Sequence, residues 1–458
     1  PAPAGALNVL NFGANPASGG DDTNAIQAAF TAAGQQNKDV YLPAGHYYIN
    51  RTVVFQASGR TIFGDGMTRT VLAGNTNAYN LIQLDRTQGV VIRDLRLEGS
   101  ALNNDQVNVN RAVDCYATRD TVIRRVHCYG AGYLAFDNGG VNTVIEDSVI
   151  EDYGRIGYLA NDGAVVRRCR FICRESWNFT GEQHGVYAPA GRTNILIEDN
   201  EFINCGSYAI QLWGSQSGVW TENITIRRNT FTRCKNVLVV GAGSSGPSYR
   251  NVRFLANTIR QTQEKDIRIM KFNGSTAQGT ELLIEGNIFE DPGASYGFMV
   301  INYGGANITG VRVRNNQFLC PGRASYSGII HLQQSEGTLS DFVVEENLFQ
   351  HLGHSGGVEK GIPGIWIRSG SGITVQDNTF VHWSGAGKLL DVDAVRLEAA
   401  ARNVAVRRNF FQGTGLSRCY GVRVPSGGNS ATGSITANQF VGARLEPGGV
   451  PASGNTVQ

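Results

Sequence analysis

Ile197-Glu198-Asp199-Asn200-Glu201-Phe202 returns as Ile226-Arg227-Arg228-Asn229-Thr230-Phe231, and the same phrase then recurs at Asn257, Asn287, Asn316, Asn347, Asn378, Asn409 and Asn438. The spacings between successive asparagines are 29, 28, 30, 29, 31, 31, 31 and 29. Phe stands two positions after each Asn, with Ile259 as the one exception. Each Asn is preceded by an alternating segment such as Val311-Arg312-Val313-Arg314. A period of this length built on β-type alternation predicts a β-solenoid, in which every coil repeats one inward and outward pattern. Asn suits the corner between two strands because it tolerates the left-handed conformation, and stacked amides can hydrogen-bond from coil to coil at about 4.8 Å. The Phe is expected to point inward and stack on its neighbour.

Working outward, Val122-Ile123-Arg124-Arg125, Val144-Ile145-Glu146-Asp147 and Val165-Val166-Arg167-Arg168 occupy the equivalent strand of earlier coils, with Ser148 and Cys169 at the Asn point. About twelve coils are expected from Leu81 onward. The fold class is therefore all-β, a single-stranded right-handed parallel β-helix with an N-terminal capping helix. Residues 1–80 are read as the cap and first coils, and 81–458 as one continuous domain. Asp22-Thr23-Asn24-Ala25-Ile26-Gln27-Ala28-Ala29-Phe30 reads as a capped amphipathic helix over the otherwise open edge of the first coil.

A second column supplies apolar-x-apolar triplets whose middle residues form an outward stripe. Its members include Val113-Asp114-Cys115, Leu134-Ala135-Phe136, Val186-Tyr187-Ala188, Ile210-Gln211-Leu212, Ile267-Arg268-Ile269, Ile330-His331-Leu332, Ile365-Trp366-Ile367, Val395-Arg396-Leu397 and Val422-Arg423-Val424. The stripe carries Tyr187, Gln211, Arg268, His331, Trp366, Arg396 and Arg423, flanked by Asp85, Asp137, Trp213 and Arg368. Outward aromatic and cationic side chains suit a polysaccharide or oligosaccharide partner, by stacking and hydrogen bonding.

Composition narrows the alternatives. The chain has 458 residues, 17% of them charged, and a net charge of +2, so the basic excess of a nucleic-acid binder is missing. No apolar run reaches the length of a membrane span, which argues against a membrane partner. The 58 glycines punctuate turns. Pro1-Ala2-Pro3-Ala4 lacks a signal-peptide pattern, and the expected location is secreted or periplasmic with any signal removed. The eight cysteines, at 115, 128, 169, 173, 205, 234, 320 and 419, include no CxxC pair, so a zinc ribbon is not expected. They read as stacked inward thiols, with a disulfide between coils as the alternative. No acidic cluster predicts a metal site, and no cofactor is expected.

Asn11-Phe12-Gly13-Ala14, Asp21-Asp22-Thr23-Asn24-Ala25-Ile26-Gln27 and Val40-Tyr41-Leu42-Pro43-Ala44-Gly45-His46-Tyr47 resemble the N-terminal pattern of the pectate-lyase-like superfamily, of the rhamnogalacturonase/epimerase type. That opening is shared by hydrolases, lyases, epimerases and phage tailspikes, so it implies the fold and leaves the reaction open. Tyr133-Leu134-Ala135-Phe136-Asp137-Asn138-Gly139, Ala160-Asn161-Asp162 and His184-Gly185 are similar to the motifs of mannuronan C5-epimerases, with Leu134 at the motif's Tyr and Gly139 at its final His. Polygalacturonase-type hydrolases offer a comparable order of Asp and His-Gly coils, and their Arg-Ile-Lys is echoed by Arg268-Ile269-Met270-Lys271.

Asp137 and Asp162, at corresponding points of adjacent coils, are the candidate acid and partner of a glycoside hydrolase if they lie about 5–10 Å apart. The alternative is that both cap strands as Asx turns. Glu182, His184 and Tyr187 follow the 174–181 loop and are candidates for proton transfer. Trp213, Gln211, Arg268, Lys271, His331, Trp366 and Arg368 are the candidate substrate-binding residues, the two tryptophans as stacking platforms and Arg268 with Lys271 as partners of a uronate carboxylate. Of three functions the favoured one is a secreted glycoside hydrolase, with a polysaccharide lyase or C5-epimerase acting on a uronic-acid polymer as the alternative and a non-catalytic glycan-binding β-helix as the second. Hydrolysis is favoured by the Asp pair, lyase or epimerase chemistry by Arg268, Lys271, Tyr187 and His184, and the third is a non-catalytic glycan binder.

Overall fold

The computed structural model describes residues 5–74, 79–99, 109–174, 183–214, 216–243, 245–262, 265–271, 276–290, 296–302, 306–319, 328–334, 336–350, 363–383, 392–413, 419–425 and 431–458. Its contacts group into two compact units, residues 1–211 and 212–458. Apart from the helix Thr23–Gln36 and a 3-10 turn at Val9–Phe12, the regular structure of the described residues is β, and both units are parallel β-solenoids.

In the first unit the helix buries Ile26, Ala29, Phe30 and Ala33, and Phe30 meets the Phe55 ring edge-on at 5.1 Å. Gln27 completes the cover. Its amide nitrogen donates to the Val54 carbonyl at 2.9 Å and its oxygen accepts from the Val54 amide at 2.8 Å. Both unpaired backbone groups of an edge strand are thereby satisfied, as a capped solenoid requires. Asp22 makes no side-chain bond to the helix N-terminus. It accepts instead from the Asn15 and Tyr48 amides at 2.7 and 3.3 Å, so it ties the entry loop rather than capping the helix.

Each coil contributes strands to a long sheet and one strand to a smaller sheet. In the first unit the smaller sheet runs through Val53–Phe55, Asn80–Asp85, Arg111–Tyr116, Tyr133–Phe136, Ile156–Leu159 and His184–Ala188, all parallel and in register. In the second it runs through Asn236–Ala242, Lys265–Lys271, Tyr296–Asn302, Ile330–Gln334, Ile365–Ser371, Val392–Arg402, Cys419–Arg423 and Arg444–Glu446.

The repeated asparagines form the expected ladder. Asn229 donates its amide to Asn257 Oδ1 at 3.0 Å, and the pattern continues through Asn287, Asn316, Asn347, Asn378, Asn409 and Asn438 to Asn455. The left-handed residue of each corner is not this Asn but the residue before it: Arg228, Ala256, Gly286, Asn315, Glu346, Asp377, Arg408 and Ala437. The corner therefore turns on the preceding residue and delivers the Asn side chain inward, where it is at most 2% exposed from Asn229 to Asn438. Inside the corner, Phe289, Phe318, Phe349, Phe380, Phe411 and Phe440 stack with centroids 4.5–5.0 Å apart. Each described cysteine is a buried thiol, and no inter-coil disulfide forms among them. Cys320 lies outside the described residues.

Candidate functional site

In the first unit the outward row of the smaller sheet reads Val54, Gln83, Asp114, Phe136, Leu159, Tyr187, each residue opposite the next. The fourth position departs from the sequence expectation. Ala135 is fully buried and Phe136 takes the outward place, because Ala135 lies in register with the inward Val113 and Tyr158. One residue further on, Asp137 turns inward.

Asp137 is only 6% exposed and accepts from Tyr158 Oη at 2.5 Å and Thr143 Oγ1 at 3.0 Å. The Cys115 thiol and the Asn161 amide complete its shell. Burial raises its pKa to about 6, against the lowering pull of those hydrogen bonds. Asp162 is half-buried and accepts from the Thr193 amide at 2.8 Å, holding the start of the next coil's strand. The two carboxyl groups thus serve different neighbours, one a core network and the other a strand start. The expected placement of Asp137 on the outward flank is corrected, since the corner that follows Phe136 carries its side chain among Tyr158, Thr143 and Cys115.

His184 and Tyr187 are brought together. Their ring centroids lie 5.7 Å apart, and Tyr208 faces the imidazole from the other side at 6.2 Å and 12°. His184 Nδ1 accepts from the Tyr208 amide at 3.4 Å, which selects the tautomer carrying its proton on Nε2. Burial lowers the His184 pKa to about 4, so at neutral pH the ring is an uncharged donor. Tyr187 is half-buried on the outward row, as the period predicts. Gln211 is half-buried too, and its side-chain oxygen has no hydrogen-bond partner among the described residues. Glu182 lies outside the described residues.

One cluster on this row escaped the sequence reading. Asp114, 4% exposed, accepts from Arg111 Nη1 at 3.0 Å and from Asn80 Nδ2 at 3.3 Å. The Arg111 guanidinium lies 3.7 Å from the Phe136 ring centroid and 5.9 Å from that of the exposed Tyr79. Asp114 Oδ1, Asn80 Oδ1 and Arg111 Nε are buried with no hydrogen-bond partner among the described residues. Burial raises the Asp114 pKa while Arg111 opposes the shift. Two acceptors and a donor are thus buried together beneath the outward row of this sheet. The signal was legible: Asp114 is a carboxylate in the middle of an apolar triplet.

In the second unit the corresponding row is Val239, Arg268, Met299, His331, Trp366, Arg396, Arg423 and Glu446. Arg268 and Lys271 stand on the strand Lys265–Lys271, and their side chains lie outside the described atoms. His331 is 2% exposed and stacks on Trp366 at 4.8 Å and 11°. Burial, with Arg368 adding to it, lowers the His331 pKa to about 4. Arg368 and Arg396 lie over the same indole at 5.2 and 5.8 Å, and Trp366 Nε1 donates to Glu398 at 3.1 Å. Register stacking places His331, Arg368 and Arg396 around the indole, so Trp366 is a rung of a cation and aromatic ladder. Arg368 also donates to Gln333 at 2.9 Å, and Arg396 to Glu398 at 2.8 Å. Trp213, half-buried, lies against the next coil, where a side chain at Gly243 would meet its ring at 3.8 Å. Among the described residues no group of three or more His, Cys, Asp or Glu side chains is disposed to hold a metal. No described helix is long and apolar enough to cross a membrane.

Comparison with known proteins places these features in a lineage. Residues 250–444 match a right-handed β-helix region. Mannuronan C5-epimerase AlgE3 of Azotobacter vinelandii is 28% identical over 227 residues, 43% of this chain and 11% of that protein. Alginate lyase 7 of the same organism is 29% identical over 180 residues, 34% of this chain and 20% of that protein. The chain thus spans about a tenth to a fifth of these relatives' lengths. Among solved structures, a hyperthermoactive exopolygalacturonase from Thermotoga maritima superposes with a TM-score of 0.56 at 13% identity, over 76% of this chain and 87% of that one, a likeness of fold. The rhamnogalacturonase A/epimerase, pectate lyase-like model matches residues 6–264, more than half of the 458, and the chain belongs to that family.

Proposed function

We propose that the protein is a carbohydrate-active enzyme, working outside the cytoplasm on a uronic-acid polysaccharide, and that it removes the proton at C5 of a uronate as a lyase or C5-epimerase. The observation that carries this reading is the pairing of neutral His184 with Tyr187 on the outward row. The names of the two Azotobacter relatives point to the same substrate class. A C5 proton is acidified when the adjacent carboxylate is neutralised by hydrogen-bond donors. His184 Nε2–H is such a donor, and Tyr187 as phenolate is the proton acceptor beside it. In a lyase the C5–H electrons form the C4–C5 double bond as the C4–O bond breaks, and the phenol returns its proton to the departing oxygen. In an epimerase the carbanion is reprotonated from the opposite face. Arg111, held by Asp114, is the candidate partner for a carboxylate further along the chain. It lies three coils from His184, about 14 Å at strand spacing.

Hydrolysis is the second reading. Beside the expected Asp137 and Asp162 pair, Asp114, a carboxyl of raised pKa on the outward row, is a further candidate proton donor. A panel of neutral and uronic polysaccharides distinguishes the two. Ultraviolet absorbance of unsaturated ends reports a lyase, solvent-deuterium incorporation at C5 reports an epimerase, and reducing ends without unsaturation would displace both in favour of hydrolysis. Loss of the first two signals in His184→Gln is the expected result.

A further inference from the structure

The long sheet of the second unit carries a cleft of about 550 Å³ that no part of the preceding reading uses. Its floor is Leu283, half-exposed, in register between Arg253 on one coil and Arg312 two coils further on. Thr280, Glu281 and Asp341 form the rim. The cations differ in their engagements. Arg314 is paired with Glu285 at 2.9 Å, and Arg312 with Asp341 at 2.8 Å. Arg253 is exposed, donates its Nε to Asn251 at 3.1 Å and forms no ion pair among the described residues. Asn251 is itself fixed by donating to Asn223 at 2.7 Å, so Arg253, which lines the cleft, is oriented at its Nε, and its Nη groups form no hydrogen bond among the described residues.

We infer that this cleft is a non-catalytic holding site for a second stretch of the anionic polysaccharide, with Arg253 binding a uronate carboxylate and Leu283 receiving the apolar face of a sugar ring. The inference rests on the uronan reading above. Arg253 and Arg312 stand about 9.6 Å apart along the coil axis, two strand spacings. The strand spacing is close to the advance of one sugar residue along an extended polysaccharide, so a chain lying along the axis meets the same outward row at each residue. Guanidinium forks pair with carboxylates in two parallel bonds, and a guanidinium without a counter-ion gives up no existing pair to do so. The hydroxyls of Thr280 and Thr309 and the exposed Glu281 carboxylate supply partners for sugar hydroxyls. Such a site raises the local concentration of polymer without touching the reacting residue.

The test compares the wild-type protein with Arg253→Glu and, independently, Leu283→Asp. Retention in gels containing polymannuronate, polygalacturonate or a neutral glucan is measured, together with turnover on a long uronan and on a short oligomer. Both variants are expected to be retained about ten-fold less by the uronan, with KM for the polymer raised, kcat on the short oligomer unchanged and thermal melting unaltered. Retention that is equal in wild type and both variants, or equal for the neutral glucan, overturns the cleft assignment while turnover persists. A wild-type protein that neither binds nor converts any uronan overturns the cleft assignment and the proposed substrate class together.

Discussion

Asp137→Asn is the substitution on which the two views of this residue diverge most sharply. The folded-state pKa is raised from 3.8 to about 6 by burial. The folded chain therefore holds more protons than the unfolded one between those values, and stability falls as pH rises through the window. Below pH 3.8 the carboxyl is neutral in both states and its contribution is fully present; above about 6 it is lost. The shift corresponds to about 3 kcal/mol. Asn has the shape of the neutral acid and keeps an oxygen for the Tyr158 hydroxyl, while its amide can donate to Thr143. Asp137→Asn should thus match the wild type near pH 4 and exceed it by up to about 3 kcal/mol at pH 8. Urea unfolding of both proteins at half-unit steps from pH 4 to 8 reads the difference directly. Subtraction cancels His184, whose depressed pKa works in the opposite sense. Turnover should survive, because the carboxyl faces the core. A pH-independent loss of stability, or a folded variant without activity, refutes the reasoning.

His184→Gln should lower kcat by about 10²-fold or more with little change in melting temperature, measured by steady-state kinetics beside calorimetry. Asn347→Ala removes the acceptor for the Asn316 amides and the donor to Val313 and Asn378, and should cost about 2–4 kcal/mol in denaturant unfolding. Trp366→Ala should cost about 1–2 kcal/mol through the lost His331 and Arg contacts, while affinity for oligosaccharides measured by titration calorimetry stays unchanged.

The solenoid was legible because every coil repeats the same inward residues, and the Asn and Phe columns are the residues whose burial the coil cannot do without. The conformation behind them was not. The left-handed corner falls on positions occupied by Arg, Ala, Gly, Asn, Glu and Asp in turn, so residue type carries no signal there. Alternation alone also failed at Tyr133-Leu134-Ala135-Phe136, where four apolar residues fit either face and only the neighbouring coils fix the register. Tyr187 and Gln211 were placed correctly because single polar residues interrupt apolar triplets. The same rule finds Asp114, whereas the family-like motif drew attention to Asp137. Whether an outward aromatic is open to a ligand depends on which side chains lie in register with it, and for Trp366 those are residues about thirty positions away on either side.

From Asn229 to Asn438 each side-chain amide donates to the oxygen of the next asparagine along the axis, and from Asn257 onward each also donates back to a carbonyl of the preceding coil. A chain of identical links has no fixed length. Excising residues 348–378, one complete 31-residue period, would bring Asn347 against Asn409 with every donor and acceptor again matched. Removing a single residue from the same stretch would break the sequence of links and throw the following strand onto its wrong face. Whole-coil gain and loss is thus the natural mode of length variation for this architecture.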